Sequence, residues 1–193
     1  MSYVAFLRGI NLGKINKVSM SSLKTLFEEM KFENVTTFIQ TGNVLFENIV
    51  ISEEEIEEKL KNYYGFDIPV TIRSKEEIEK IKNHPIFKKE NVYILFLKNK
   101  ISNEQICLLK EIVKDEFEII ENKTILINLS KTFHKSKYNN SFFEGKLHMS
   151  STLRKSNTVE KILFKISWEL LLIIVKIVFF YNINLLTKIR RYS

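Results

Sequence analysis

The chain has 193 residues, 45% of them apolar, with 15 Phe against 5 Gly and 2 Pro, which excludes a disordered chain and supplies a packed core for one large or two small domains. A single cysteine, Cys107, excludes an internal disulfide framework and a cysteine-built zinc site. The net charge of +7 is unevenly held: residues 1–130 carry 18 basic and 20 acidic side chains, residues 131–193 carry 12 and 3, so any broad positive field belongs to the last third.

Met1 runs straight into a strand-like stretch with no basic-then-apolar leader, and a cytoplasmic address is expected. Tyr3 to Leu7 reads as a buried strand and Arg8 to Lys17 as a loop. Ser21 or Ser22 can cap a helix with Leu23, Leu26, Phe27 and Met30 on its apolar face. Thr36 to Gln40 and Val44 to Glu47 are β-rich runs around Thr41-Gly42-Asn43, a hairpin composition. Ser52 with Glu55 is a capping box opening a helix Glu53 to Tyr64, and Ile68 to Ile72 closes the set as a strand.

A connecting helix, capped by Ser74 with Glu77, is expected to end near His84-Pro85. Val92 to Leu97 is the next strand, and Ser102 with Gln105 opens a helix on which Cys107 reads as a core thiol. Phe117 to Ile120 and Thr124 to Leu129 form a second expected hairpin, a helix fits within Ser136 to Leu147, and Met149 to Leu153 reads as a closing strand. The order β-α-β-β-α-β thus occurs twice. The expected class is α+β, two ferredoxin-like (α/β-plait, βαββαβ) halves at 3–73 and 91–156, a connecting helix at 74–90, and a C-terminal helix with an apolar basic tail at 157–193. Two such halves leave two sheet faces to cover, by packing together or by the extra helices.

Three of the five glycines fall in two loops that follow strands, Arg8-Gly9-Ile10-Asn11-Leu12-Gly13-Lys14 and Gln40-Thr41-Gly42-Asn43. Arg8, Lys14 and Lys17 carry positive charge, with no acid before Glu28, so an anionic group is the natural guest. A phosphate-binding P-loop does not fit, because only three residues separate Gly9 from Gly13 and Ile15 stands where a magnesium-binding hydroxyl is needed. Turn chemistry explains the same residue types: Gly for tight turns, Asn11 and Asn43 for side-chain-to-backbone bonds, Arg8 as a surface or interdomain ion pair.

The run from Phe6 to Glu47, with its RGIN-x-G loop and QTGNV hairpin, resembles the opening of the bacterial domain of unknown function 1697 family. The run from His134 to Ile162, with Arg154-Lys155-Ser156-Asn157-Thr158-Val159, resembles that family's closing segment. The resemblance implies two α/β-plait subdomains. It marks Arg8, Gly9, Asn11, Gly13, Asn16, Gln40, Gly42, Asn43, Lys137, Arg154, Asn157 and Thr158 as motif positions, and implies no activity or cofactor. Lys14, Lys155 and Ser156 depart from the pattern, where Gly, Asn and Trp are usual.

Asn157 with Glu160 also reads as a helix cap, beside which the Arg154 guanidinium suits an anion. His84, His134 and His148 are too scattered for a metal site, and no nucleophile, base and orienting group can be assembled from spacing. The tail from Trp168 to Leu186 is apolar, but Lys176, Glu169, Asn182 and Asn184 argue against a span and favour a docked or dimerising helix over membrane contact.

Three functions follow. The leading one is binding of a small anionic or phosphate-bearing ligand by Arg8, Gly9, Asn11, Gly13, Lys14, Lys17, Gln40, Thr41, Gly42, Asn43, Lys137, Arg154, Asn157 and Thr158, with catalysis left open. The second is a nucleic-acid-binding module, using an open sheet face that displays Tyr93 and Phe96 and the basic last third; the expected RNA-binding signature is absent. The third is assembly, as a homodimer through the tail.

Overall fold

The computed structural model describes residues 1–48 and 51–168. The first half comprises β1 (Ser2–Leu7), α1 (Met20–Glu29), β2 (Glu33–Phe38), β3 (Asn43–Glu47), α2 (Glu53–Tyr64) and β4 (Val70–Ser74). After α3 (Lys75–Asn83) and a short 3-10 turn, Pro85–Lys88, come β5 (Val92–Leu97), α4 (Asn103–Ile112), β6 (Glu116–Ile120), β7 (Thr124–Asn128), α5 (Asn140–Leu147) and β8 (Ser151–Lys155). Residues 156–168 form α6. The result is an α+β protein with two four-stranded antiparallel sheets, in the orders β2-β3-β1-β4 and β6-β7-β5-β8.

Helix starts follow the local sequence closely, with reciprocal capping boxes at Ser52–Glu55, Ser74–Glu77 and Ser102–Gln105. Strands expected at Thr36 to Gln40, Ile68 to Ile72 and Met149 to Leu153 lie at Glu33–Phe38, Val70–Ser74 and Ser151–Lys155, and three expectations about the helices shift. α1 is capped by Ser19, whose extended backbone lets its side chain accept from the Ser22 amide, so Ser21 and Ser22 lie inside the helix. Helix α6 begins at residue 156, which puts Asn157 in its first turn instead of at its cap. Cys107 is exposed and not a core thiol: it lies two residues from buried Leu109, about 200° around the helix.

Strand alternation sorts the apolar side chains into three layers. Ala5, Leu7, Val44, Phe46, Val70 and Ile72 meet α1 and α2 on the outer face of the first sheet. Leu95, Leu97, Ile125, Ile127 and Leu153 meet α4 and α5 on the outer face of the second. Between the sheets, Val4, Phe6 and Leu45 pack with Val92, Ile94, Phe96 and Leu126, closed by Ile78 and Ile81 of α3 and Val159, Ile162 and Leu163 of α6. Both means of covering the inner faces are therefore used. This removes the open sheet face that an RNA-reading platform needs, because Phe96 is fully buried and Tyr93, on the opposite face, stacks on Phe133 at 4.9 Å.

At the centre of the inner layer the Phe6 and Phe96 rings stack with centroids 4.2 Å apart. Over Phe96, at 5.6 Å, lies the guanidinium of Arg73, which is 1% exposed and comes from β4 of the other half. It donates to Leu97 O and Lys123 O at 2.7 Å each, and to its own neighbour Ile72 O at 2.7 Å. Desolvation lowers its pKa, opposed by the charges of Glu77 and Glu53.

The apolar run from Leu170 to Phe180 and the basic residues after it lie outside the described residues. No described helix is long and apolar enough to cross a membrane.

Phe96→Ala is expected to lower unfolding free energy in urea by about 3–5 kcal/mol, since the stack is removed and a cavity left between the sheets. The same measurement on Tyr63→Ala, a residue 57% exposed, should change by no more than about 0.5 kcal/mol.

Candidate functional site

Twelve residues, 8–19, connect β1 to α1, whereas five, 98–102, connect β5 to α4. The longer connection is an ordered structure built by two asparagines in left-handed backbone, Asn11 (φ 55°) and Asn16 (φ 50°). Asn11 N donates to Asn16 O at 2.8 Å, and its side chain donates to Val18 O at 2.9 Å and accepts from Val18 N at 3.0 Å. The Asn16 side chain donates to Gly9 O at 3.0 Å. At the tip, Ile15 N donates to Leu12 O at 3.1 Å across a tight turn of Gly13 and Lys14.

The same Asn11 amide donates to Gln40 O at 3.0 Å, which ties the loop to the β2–β3 hairpin. In that hairpin Gly42 is indispensable. Its φ is +78°, and a Cβ there would lie 2.7 Å from Ile10 Cδ1 and 2.9 Å from Leu7 Cβ, while its carbonyl accepts from Leu7 N at 2.8 Å. Asn43 is fully buried and donates to Phe38 O at 3.0 Å and Thr41 Oγ1 at 3.2 Å.

Arg154, on β8, crosses from the second half to lock both loops. Its Nε donates to Asn43 Oδ1 at 2.8 Å, and Nη2 to Leu7 O at 2.7 Å and Thr41 O at 3.0 Å, with Gly42 O at 3.3 Å. Nη1 donates to Leu153 O at 3.0 Å, and the guanidinium lies over the Phe6 ring at 5.6 Å. Burial lowers its pKa to about 10, so it remains charged at neutral pH. Its donors are taken by carbonyl and amide oxygens, so Arg154 shapes the loops instead of offering a fork to an anion.

Arg8 is likewise engaged. It pairs with Glu144 on α5, whose carboxylate also accepts the Ser151 amide at 2.8 Å, and desolvation lowers the Arg8 pKa. The interdomain ion pair considered from the sequence is the arrangement found. A matching contact relates the other halves: Lys98, directly after β5, pairs with Glu57 on α2 at 2.6 Å, and Glu57 accepts the Val70 amide of β4 at 2.7 Å.

The fold thus gathers Arg8, Gly9, Asn11, Gly13, Lys14 and Lys17 with Gln40, Thr41, Gly42, Asn43 and Arg154. A groove of about 580 Å³ opens there, lined by Asn11, Lys17, Val18, Ser19, Met20, Ser21 and Gln40, with the positive end of the α1 dipole at its wall. Lys14 and Lys17 are exposed and make no ion pair among the described residues. Asn157 instead lines a different groove of about 590 Å³ with Glu79, Lys82, Glu160 and Lys161. Thr158 follows it on α6, and Lys137 sits 5.4 Å from the Tyr138 and Phe142 rings. No metal-binding cluster of His, Cys, Asp or Glu occurs among the described residues.

Sequence reasoning missed Ser19 and Ser21 of the groove, Arg73, and Glu144. Glu144 carried a signal, being the one acid between Glu121 and Glu160 in a basic stretch.

A family model described as "Protein of unknown function (DUF1697)" matches residues 1–124, nearly two thirds of the chain. A solved structure of a conserved bacterial protein from Streptococcus pneumoniae is similar with a TM-score of 0.62 and 23% identity, over 84% of this chain and 96% of that one. At that identity the likeness concerns the fold alone. No curated protein matches the chain.

Arg154→Met should destabilise the protein by about 3 kcal/mol in chemical denaturation, because several acceptors of the loops lose their donor at about 1 kcal/mol each. Arg154→Lys is expected to recover only part of this, since an ammonium lacks the planar fork that reaches both loops.

Proposed function

The chain belongs to the DUF1697 family, whose description names no activity, and we propose that it binds a small anionic or phosphate-bearing ligand in the groove between the loop 8–19 and the hairpin 40–43. One observation carries this reading. The two halves match in strand order, in their crossed arginines and in their crossed cation–Glu pairs, yet the first half has seven extra residues between β1 and α1, and those residues build the groove. A scaffold role alone does not require them, since the second half closes the same connection in five.

The halves, 3–73 and 91–156 joined through 74–90, are read as ferredoxin-like α/β plaits. A central β1 or β5, antiparallel neighbours and two helices packed on one face support that reading. Within the site the labour divides. Gly9, Asn11, Gly13, Thr41, Gly42, Asn43 and Arg154 hold the backbone in place, and Arg8 is neutralised by Glu144. Lys14, Lys17 and the Gln40 side chain are left for the ligand, while the Ser21 hydroxyl shares a 2.7 Å hydrogen bond with the Ser19 hydroxyl. Lys17 on the lining, Lys14 on the adjoining turn, neutral donors and a helix start, with no acid on the lining, suit a phosphate or carboxylate.

Calorimetric titration of the full chain with pyrophosphate and a nucleotide panel is expected to give binding that weakens with added salt. Lys17→Ala should reduce affinity about three- to fivefold, the weight of one exposed charge contact of about 1 kcal/mol. Absence of binding across the panel, or a Lys17→Ala profile identical to the parent, would overturn the proposal.

A further inference from the structure

The two loops carry apolar side chains where turns are ordinarily polar. Leu12 is 58% exposed, Ile15 64% and Ile39 45%, three of the seven large apolar residues exposed among the described residues. Leu12 and Ile39 are chain neighbours of Asn11 and Gln40, which line the groove and are hydrogen-bonded to one another. Leu12 and Ile15 face each other across the Gly13-Lys14 turn, and an exposed lysine occupies its centre. Single exposed aliphatics are commonplace on protein surfaces, so clustering is the informative feature.

The molecule contains its own control. The equivalent connection in the second half, 98–102, buries its only large apolar residue, Ile101, and the β6–β7 turn is Glu121-Asn122-Lys123. The fold therefore does not impose exposed aliphatics at these places. Ile39 also sits at φ 50°, a left-handed backbone that strains a β-branched residue, and such strain persists where the surroundings hold it. On either side of Ile39, Asn43 holds Phe38 O at 3.0 Å and Asn11 holds Gln40 O at 3.0 Å, while the Asn11 and Asn16 bonds keep the Leu12–Ile15 tip in one shape.

Resting on the anion-groove reading, we infer that the anion is the head of an amphiphile: a phosphate ester whose apolar substituent lies along Leu12, Ile15 and Ile39. Charge complementarity fixes the head, with Lys17 in the groove and Lys14 beside it, while the aliphatic rim takes the hydrocarbon. The lysine stems can lie along the same chain with their ammonium groups in water. A soluble alkyl or prenyl phosphate and a phospholipid headgroup share this chemistry.

The test titrates the full chain with inorganic phosphate and then with butyl, hexyl and octyl phosphate below their micellar concentrations. Affinity should rise about twofold per methylene, about half the gain in free energy of full burial. Leu12→Ser combined with Ile15→Ser should abolish the rise while leaving inorganic phosphate binding unchanged. Cosedimentation with phosphatidylglycerol-containing vesicles, lost in that variant, would identify a lipid source; octyl phosphate binding without cosedimentation would identify a soluble ester. Phosphate binding with a flat alkyl series, or a rise that survives the double substitution, would overturn this inference and leave the anion groove standing. No binding by any member of the series would overturn both.

Discussion

The constraint on which the molecule depends is the crossing of two arginines over one aromatic stack. Phe6 and Phe96 meet at the centre of the sandwich, and each half sends an arginine from its last strand over the other half's phenylalanine. Arg73 ends on Leu97 O and Lys123 O, and Arg154 ends on Leu7 O and the carbonyls of Thr41 and Gly42. Leu7 and Leu97 are equivalent strand ends, and both also donate their own amides into the adjoining hairpin turns. A guanidinium cannot discharge itself by deprotonation in this range, so an enclosed one must be ringed by acceptors. Here the acceptors are the ends of strands and turns, and satisfying the charge fixes the positions of those ends.

A second crossed pair reinforces the first. Arg8 and Lys98 each follow a central strand and each reach a glutamate on a helix of the other half, Glu144 and Glu57. Each glutamate in turn accepts an amide from the edge strand beside it, Ser151 or Val70. The outward amides of an edge strand invite pairing with another chain, and a carboxylate placed over them blunts that edge. The same two side chains thus hold the halves together and each cover one amide, on the β4 edge and on the β8 edge. Because the first half's loops are gripped from the second half, the shape of the groove is a property of the whole assembly and not of residues 1–48 alone.

How much was legible in the sequence depends on the range of the interactions involved. The three Ser capping boxes, the glycine and asparagine turns and the alternating strands act within a few residues, and Glu53 to Tyr64 and Val92 to Leu97 coincide with their expected bounds. Ser19 caps α1 where the sequence pattern points to Ser21 or Ser22, because three nearby serines offer equivalent caps and only backbone geometry chooses among them. The apolar neighbours of Cys107 point to the core, whereas the phase of α4 is set by what Leu109 packs against.

Element order, the internal repetition and the two loops in which glycine and asparagine permit left-handed backbone can be read from the residue pattern, since these rest on local sterics and hydrogen bonding. The roles of the charged motif residues emerge from long-range contacts. Arg8 and Arg154 look alike on paper as anion ligands, yet their partners lie 136 and 111 residues away along the chain at Glu144 and Asn43. Whether a cation is spent inside the fold or left facing a groove depends on which distant groups the sheets bring within hydrogen-bonding reach, and no local pattern contains that information.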